Sequence, residues 1–175
     1  SLYEVMVEFI TNVDDSYERL GQKENNKCVI SYNRGGKKNP SILSVKDRAE
    51  GMDTASIEKN FSNYGMKLSG KATRGYAGRG AKDASAVGEL QIESIFNNKY
   101  SRAVIEHGKA EVKFYEEDVK VNKEHTNSVG VGKNQNGTHI KLTIPPKSDR
   151  AISYHPLEEK IFNSLPNHYA LTDIL

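Results

Sequence analysis

Several residue types that define whole classes of protein are scarce in this chain. Among its 175 residues there are one cysteine and no tryptophan. A single cysteine excludes an internal disulfide framework and a metal site built from several cysteines. Cys28 stands in the apolar run Cys28-Val29-Ile30, which predicts a small buried core residue. The five histidines show no metal-ligand spacing such as H-E-x-x-H.

Long hydrophobic runs and an excess of one charge are also missing. No apolar run approaches the ~18 residues of a membrane-spanning helix, and no signal-peptide pattern opens the chain. The formal net charge is +2, which does not indicate general attraction to nucleic acid or membranes. We therefore expect no membrane contact and an intracellular location, cytoplasmic or nuclear. The length suits one domain with a real core.

Hydrophobic periodicity predicts an α+β protein. Apolar residues at helical spacing predict helices at Leu2 to about Leu20, Thr54–Phe61, Ala81–Val87 and Leu157–Leu165. Shorter alternating runs predict strands at Lys27–Asn33, Ser41–Asp47, Leu90–Phe96, Ser101–His107, Ala110–Glu116 and Thr138–Ile144. The segment Glu116–Gln135 is polar, and we expect it to be irregular.

These elements predict a two-layer α/β sandwich, a mostly antiparallel sheet covered on one face by helices. We place this domain at residues 1–145. Residues 146–175 are interpreted as a C-terminal extension with a helix, at the start of a linker to a further domain. The first helix begins without an upstream cap, so we expect the natural protein to extend N-terminally.

Three polar residues form a narrow stripe on the first helix. On ideal helical geometry Glu8, Asn12 and Asp15 lie within about 60° of one another, beside the apolar face. An amide oxygen is a suitable ligand for Mg²⁺, and a nearby carboxylate can accept a proton from water. The same pattern also describes the solvated side of any amphipathic helix.

A carboxylate followed by a turn ends the second predicted strand. Asp47 is followed by Arg48-Ala49-Glu50-Gly51-Met52. An ionised aspartate only accepts hydrogen bonds, which favours the amino group of adenine over the keto oxygen of guanine. Gly51 allows the backbone to approach a ring, and Met52 can pack against its face. An ordinary turn is the simpler interpretation of the same residues.

A basic, glycine-rich loop feeds the third predicted helix. Tyr64 to Lys82 contains five glycines, five basic residues and no acid. Backbone N–H groups and a helix N-terminus together favour polyphosphate. The residues assigned to nucleotide binding here are Gly75, Tyr76, Ala77, Gly78, Arg79, Gly80, Ala81 and Lys82. Near the last strand, Gly137-Thr138 offers a hydroxyl that can support Asp47 or a water beside the base.

Together, in this order, the four motifs resemble the GHKL ATPases, whose domain has the Bergerat fold. The likeness spans Val7 to Leu142. The segments Phe61–Lys67 and Gly78–Lys82 look most like the heat-shock chaperone, MutL and MORC side of that group. Ala49 stands where the adenine box of the family has its first glycine. The family usually supplies a phosphate-sensing Lys or Arg from a following domain, and no such residue is identified after Ile144.

The resemblance implies a role for each motif. By that likeness Glu8 is the general base, Asn12 the magnesium ligand and Asp15 a supporting residue. Asp47, Gly51, Met52 and Thr138 hold the adenine, and Gly75–Lys82 holds the phosphates.

The implied activity is that of an ATPase with ATP and Mg²⁺ as its ligands, which hydrolyses ATP slowly to drive lid closure and dimerisation or partner switching. A homodimer of the full-length protein is the implied assembly. Two alternatives stay open: a nucleotide-gated interaction module with little hydrolysis, and a nucleic-acid-binding module that uses the basic loop.

Overall fold

The computed structural model describes residues 2–21, 27–62 and 84–146. Within them lie three helices, α1 Leu2–Leu20, α2 Thr54–Ser62 and α3 Lys123–Val129. The six strands are β1 Cys28–Asn33, β2 Ser41–Asp47, β3 Glu89–Phe96, β4 Lys99–Ile105, β5 Lys113–Lys120 and β6 Gly137–Ile144. The predicted helix at 157–165, residues 81–83 of the one at 81–87 and the glycine loop lie outside the described residues. Of the remainder of the helix predicted at 81–87, residues 84–85 are helical and 86–87 form a turn.

The six strands form one sheet in the order β1-β2-β6-β3-β4-β5, and every neighbouring pair is antiparallel. The last strand of the sheet in sequence, β6, is therefore inserted between β2 and β3. Asp47 pairs with Thr138, and Thr138 pairs with Ser94 on its other side. Segments far apart in sequence thus meet at one end of three adjacent strands.

One face of the sheet carries the main core. Because side chains alternate along a strand, Leu43 of β2, Ile140 of β6 and Ile92 of β3 project from the same face. All three are buried in one cluster with Phe9 and Ile10 of α1. Burying each such side chain contributes roughly 1.5–3 kcal/mol. The predicted α+β sandwich, with an antiparallel sheet under helices, is confirmed.

Helix α2 starts with a side-chain cap. The backbone N–H of Ser56 donates to Oδ1 of Asp53 at 2.8 Å, which satisfies one of the donors left open in the first turn. Hydrogen bonds from Ser56 hold the pKa of Asp53 below its ordinary value. A second carboxylate, Oδ1 of Asp118 on β5, accepts from the N–H of Thr54 at 3.1 Å. The start of α2 is therefore fixed from both sides.

The interpretation of Glu116–Gln135 as irregular is wrong. Strand β5 continues to Lys120, and α3 follows with Asn122 as its N-cap, His125 completing a capping box and Gly130 as its C-cap. β5 carries charged residues because it is an edge strand, and a bulge opposite Arg102 breaks its alternation. Helix α3 buries only Val129, which leaves too little periodicity to detect.

Helix α3 lies against the face of the sheet opposite the main core. Val129 packs there with Val131, Ile95 and Tyr100 in a second hydrophobic cluster. This sheet face therefore has its own small covering layer, which the sequence did not predict. Among the described helices, none is both long enough and apolar enough to cross a membrane.

Candidate functional site

Asp47 ends β2 as a buried carboxylate, with a relative exposure of 7%. Its Oδ1 accepts a hydrogen bond from the N–H of Ala49 at 2.9 Å, and the backbone of Thr138 donates to the same carboxylate. Burial raises the pKa of Asp47 to about 6, although these two N–H groups oppose the rise. At neutral pH the group is ionised and accepts hydrogen bonds only.

The residues after Asp47, here called the Asp47 loop (Arg48–Met52), pass close to neighbouring backbone. Gly51 has φ +72°, and a Cβ at this position would overlap the carbonyl oxygen of Ile95. Only glycine fits both constraints. Ala49, in contrast, lies outside the left-handed region and its methyl group is buried in the core. The loop therefore accommodates alanine at the first position of its box without backbone strain.

Ser94 connects this loop to β6, and sequence reasoning missed it. Its hydroxyl accepts from the N–H of Met52 at 2.8 Å and lies 2.9 Å from Oγ1 of Thr138. It can also donate to the carbonyl of Gly137 at 3.1 Å. Ser94 is fully buried and lies within an otherwise apolar pattern, so its partners became visible only from the strand register.

Met52 is held at both its backbone and its side chain. Its N–H is bound by Ser94, and its sulfur accepts from the amide of Asn60 on α2 at 3.4 Å. The side chain is half-buried against the main core. Met52 is therefore held next to Ser94, and its side chain remains partly exposed.

The polar stripe of α1 (Glu8, Asn12, Asp15) consists of half-buried residues. One turn beyond it, Ser16 and Arg19 hold the Asp47 loop: Nε of Arg19 lies 2.8 Å from Oε2 of Glu50, and the N–H of Glu50 donates to Oγ of Ser16 at 3.2 Å. Arg19 projects at nearly the same azimuth as the stripe. The polar stripe of α1 and the Asp47 loop are therefore adjacent on the molecule.

Tyr17 also holds α1 against the Asp47 loop, from the side of the hydrophobic core. Its hydroxyl donates to the carbonyl of Lys27 at 2.9 Å and accepts from the N–H of Arg48 at 3.1 Å. Burial raises the pKa of Tyr17, so the hydroxyl stays neutral and keeps both hydrogen bonds. The position of α1 relative to the end of β2 is thus set by a buried polar contact as well as by apolar packing.

Few protein side chains are placed to act as metal ligands in the described part of this site. Within the described ranges no three His, Cys, Asp or Glu side chains converge as ligands for a metal ion. The half-buried amide of Asn12 nevertheless suits Mg²⁺, which takes few oxygen ligands from protein and completes its shell with phosphate and water. The donor set therefore fits an ion that arrives with a phosphate ligand.

A second polar cluster, also missed from the sequence, lies on the opposite face directly behind this site. Glu93 pairs with His139 at 3.1 Å (Oε2 to Nδ1), and Tyr100 and Ser128 donate to the same carboxylate at 2.6 and 2.7 Å. Burial raises the pKa of Glu93, but these hydrogen bonds prevail and lower it to about 2. The cluster ties β3, β4, β6 and α3 together.

The predicted site residues thus fall into three groups. Asp47, Gly51, Met52 and Thr138 come together at one end of β2, β6 and the loop between β2 and α2. Glu8, Asn12 and Asp15 lie along the adjoining helix. The predicted phosphate-binding residues, 75–82, lie outside the described residues and remain a prediction.

Comparison with solved structures identifies the fold, whereas comparison with known sequences does not. No protein-family profile matches the chain, and no curated protein sequence is significantly similar to it. Solved structures are similar at low identity: the ATP-binding domain of topoisomerase IV from Francisella tularensis, bound to a small-molecule inhibitor, has a TM-score of 0.51 at 18% identity. The match covers 95% of this chain and 76% of that one.

Two longer structures are similar to the same extent. The 43K ATPase domain of Thermus thermophilus gyrase B, bound to an aminocoumarin, gives a TM-score of 0.52 at 14% identity over 91% of this chain. The ATPase and transducer domains of topoisomerase II from Balamuthia mandrillaris give 0.54 at 16% over 87%. The chain spans only 38% and 40% of these two structures. The chain therefore has the fold of the GHKL ATPase domains.

Proposed function

We propose that this chain is a GHKL-type domain that binds Mg-ATP and hydrolyses it slowly. The observation that carries the proposal is Asp47, a buried carboxylate kept ionised at neutral pH at the end of a central strand. An ionised acceptor favours the amino group that adenine carries at position 6, where guanine carries a keto oxygen. The similarity in fold to domains described as ATPases and ATP-binding supports the nucleotide assignment.

Each motif has a part in the proposed site. Asp47 accepts from the amino group of the base, Gly51 lets the backbone approach the ring, and Met52 packs against its face. Thr138 supports Asp47 from the neighbouring strand. Residues 75–82 bind the phosphates through backbone N–H groups and basic side chains.

The polar stripe carries the proposed chemistry. Asn12 holds Mg²⁺, which neutralises charge on the phosphates when bound. Glu8 accepts the proton of the attacking water and Asp15 supports this arrangement. Catalysis by such a site consists mostly of positioning and charge neutralisation.

Slow turnover suits a switch more than a motor. In this proposal residues 64–75 are a lid that closes when ATP binds, and closure promotes a homodimer or exchange of a protein partner. The likeness to the chaperone, MutL and MORC side of the group stays part of the proposal. The process served is set by domains other than this one.

The test is a calorimetric titration of the chain with Mg-ATP, Mg-GTP and a short duplex DNA at two salt concentrations. We expect saturable binding of ATP, much weaker binding of GTP and no DNA binding. Single-turnover hydrolysis then measures the rate. Equal affinity for ATP and GTP would refute the adenine assignment. Salt-dependent binding of DNA without binding of either nucleotide would refute the proposal in favour of the nucleic-acid alternative.

A further inference from the structure

We propose that Ser94 is a specificity-determining positioning residue, whose hydroxyl holds the base-reading groups of the site at a fixed separation. This inference rests on the proposed function, because it concerns how the same site distinguishes one purine from another. Ser94 itself has no exposed surface, so it acts through its neighbours and not by touching the ligand.

Four side chains form a row across the face of the sheet that carries the main core. Asp47 pairs with Thr138, Thr138 with Ser94, and Ser94 with Ser101, so the row runs over β2, β6, β3 and β4. Directly paired residues on one face have Cβ atoms about 5 Å apart. The acceptor Asp47 and the hydroxyl of Thr138 are thus neighbours, and Ser94 lies immediately behind them.

Ser94 joins this row to the Asp47 loop. Its oxygen accepts from the N–H of Met52 at 2.8 Å while it contacts Oγ1 of Thr138 at 2.9 Å. One hydroxyl therefore restrains both the segment that packs on the base and the hydroxyl beside Asp47. Within the described residues, no other side chain is seen to bridge these two groups.

The same contact sets the polarity of Thr138 in this proposal. Ser94 has one proton to donate, and both Oγ1 of Thr138 and the carbonyl oxygen of Gly137 lie within reach of it. In the proposed arrangement Thr138 accepts that proton, which leaves its own O–H free to donate. A donor beside an ionised acceptor matches the edge of adenine, which has an acceptor ring nitrogen next to an amino group. Hypoxanthine and guanine present the reverse pattern.

Removing the Ser94 hydroxyl therefore weakens discrimination more than it weakens triphosphate binding. Without that hydroxyl the buried N–H of Met52 has no acceptor, and the Asp47 loop relaxes. The Thr138 hydroxyl can then rotate and act either as a donor or as an acceptor toward the base. We expect the ratio of inosine triphosphate to ATP dissociation constants to fall about 10-fold, the smaller end of the discrimination that a paired base edge supplies.

The experiment measures this ratio by calorimetry for the parent chain, Ser94→Ala, Ser94→Thr and Ser101→Ala. Ser101 is the matched control, since it is equally buried in the same row but bonds to Thr54 and Asp118. Ser94→Thr keeps the hydroxyl and should restore the parent ratio. Ser101→Ala should lower thermal stability and leave the ratio unchanged.

The outcomes separate the two proposals. If the parent chain binds neither nucleotide, the proposed function and this inference both fail. If the parent prefers ATP but Ser94→Ala keeps the full ratio, only the role of Ser94 is overturned. Should Ser94→Ala not fold, Ser94→Cys fills the same volume with a weak hydrogen-bonding group. It is expected to lose the ratio, and retention of the parent ratio in Ser94→Cys would count against the inference.

Discussion

Asp47 and Thr138 are register partners across β2 and β6, and the backbone of Thr138 donates a hydrogen bond to the Asp47 carboxylate. Ninety residues of sequence separate them, and only the insertion of β6 beside β2 makes them neighbours. Two separate motifs in the sequence thereby become one acceptor with its support.

Replacing Asp47 by asparagine should abolish ATP binding. The change puts an amide where a pure acceptor is needed, so its N–H₂ group faces the amino group of the base. Isothermal titration with Mg-ATP measures the loss, which we expect to exceed 100-fold. Asp53→Asn is the matched control, because asparagine caps a helix as well as aspartate does. Comparable affinity in Asp47→Asn and the parent would contradict the assignment.

The same substitution should change how stability depends on pH. Folding raises the pKa of Asp47 from its ordinary value of 3.8 to about 6. The folded state therefore holds a proton that the unfolded state has lost, and the carboxylate lowers stability progressively as pH rises from about 4 to 6. The difference amounts to about 3 kcal/mol above pH 6.

Urea unfolding of Asp47→Asn and the parent at pH 4 and pH 7.5 tests this linkage. Relative to the parent, the variant should gain stability between the two pH values. A difference between the two proteins that is the same at both pH values would show that Asp47 is not destabilised by burial.

Glu8→Ala should separate binding from turnover. The proposed role of Glu8 is to accept a proton from water, so its removal leaves the base-binding residues untouched. We expect ATP affinity to stay within a few-fold of the parent and single-turnover hydrolysis to fall about 100-fold or more. Glu18→Ala, on the exposed side of the same helix, is the control. Unchanged hydrolysis in Glu8→Ala would remove the general-base assignment.

Gly51→Ala should be far more damaging than Gly36→Ala. Both glycines have nearly the same positive φ, +72° and +73°, so both substitutions carry the same backbone strain of about 1–2 kcal/mol. Gly36 has open space around it, whereas a methyl group at Gly51 overlaps the carbonyl oxygen of Ile95. Thermal unfolding measures the difference, and equal midpoints for the two variants would refute the close approach.

Glu93→Ala should destabilise the fold strongly although Glu93 lies outside the proposed site. It leaves the buried His139 and Tyr100 and the half-buried Ser128 without their acceptor, at a cost of roughly 3–5 kcal/mol. Because the pKa of Glu93 is lowered to about 2, its contribution is present above pH 4.5 and is lost on acidification toward 2.

Glu106→Ala is the control for that prediction. Bonds to Lys109 and Lys113 also lower the pKa of Glu106 to about 2, but this carboxylate is at the surface. Solvent screening makes such exposed pairs weak, so we expect no measurable change in the unfolding midpoint. Urea unfolding at pH 7 measures the stability of both variants. A comparable loss of stability in Glu93→Ala and Glu106→Ala would show that burial does not decide how much each carboxylate contributes.

Elements with a strong periodic pattern were predictable from the sequence. Helix α1 and strand β2 have the bounds that the pattern predicts, Leu2–Leu20 and Ser41–Asp47, since each buries a continuous apolar face. α3 was missed, and the strand predicted at Ala110–Glu116 lies at Lys113–Lys120 as β5. These two elements lie on the second face and at the edge of the sheet, where charged and polar residues replace the apolar repeat.

The sequence by itself determined which chemistry was available: a carboxylate before a tight glycine turn, and an acid and an amide one helical turn apart. These are local facts, fixed by residue type and by the period of a helix or strand. The tertiary structure alone decided the partners. Ser94, Thr138 and Asp47 meet because strand order brings distant segments into register, and pairing between strands leaves no periodic trace in the sequence of either one.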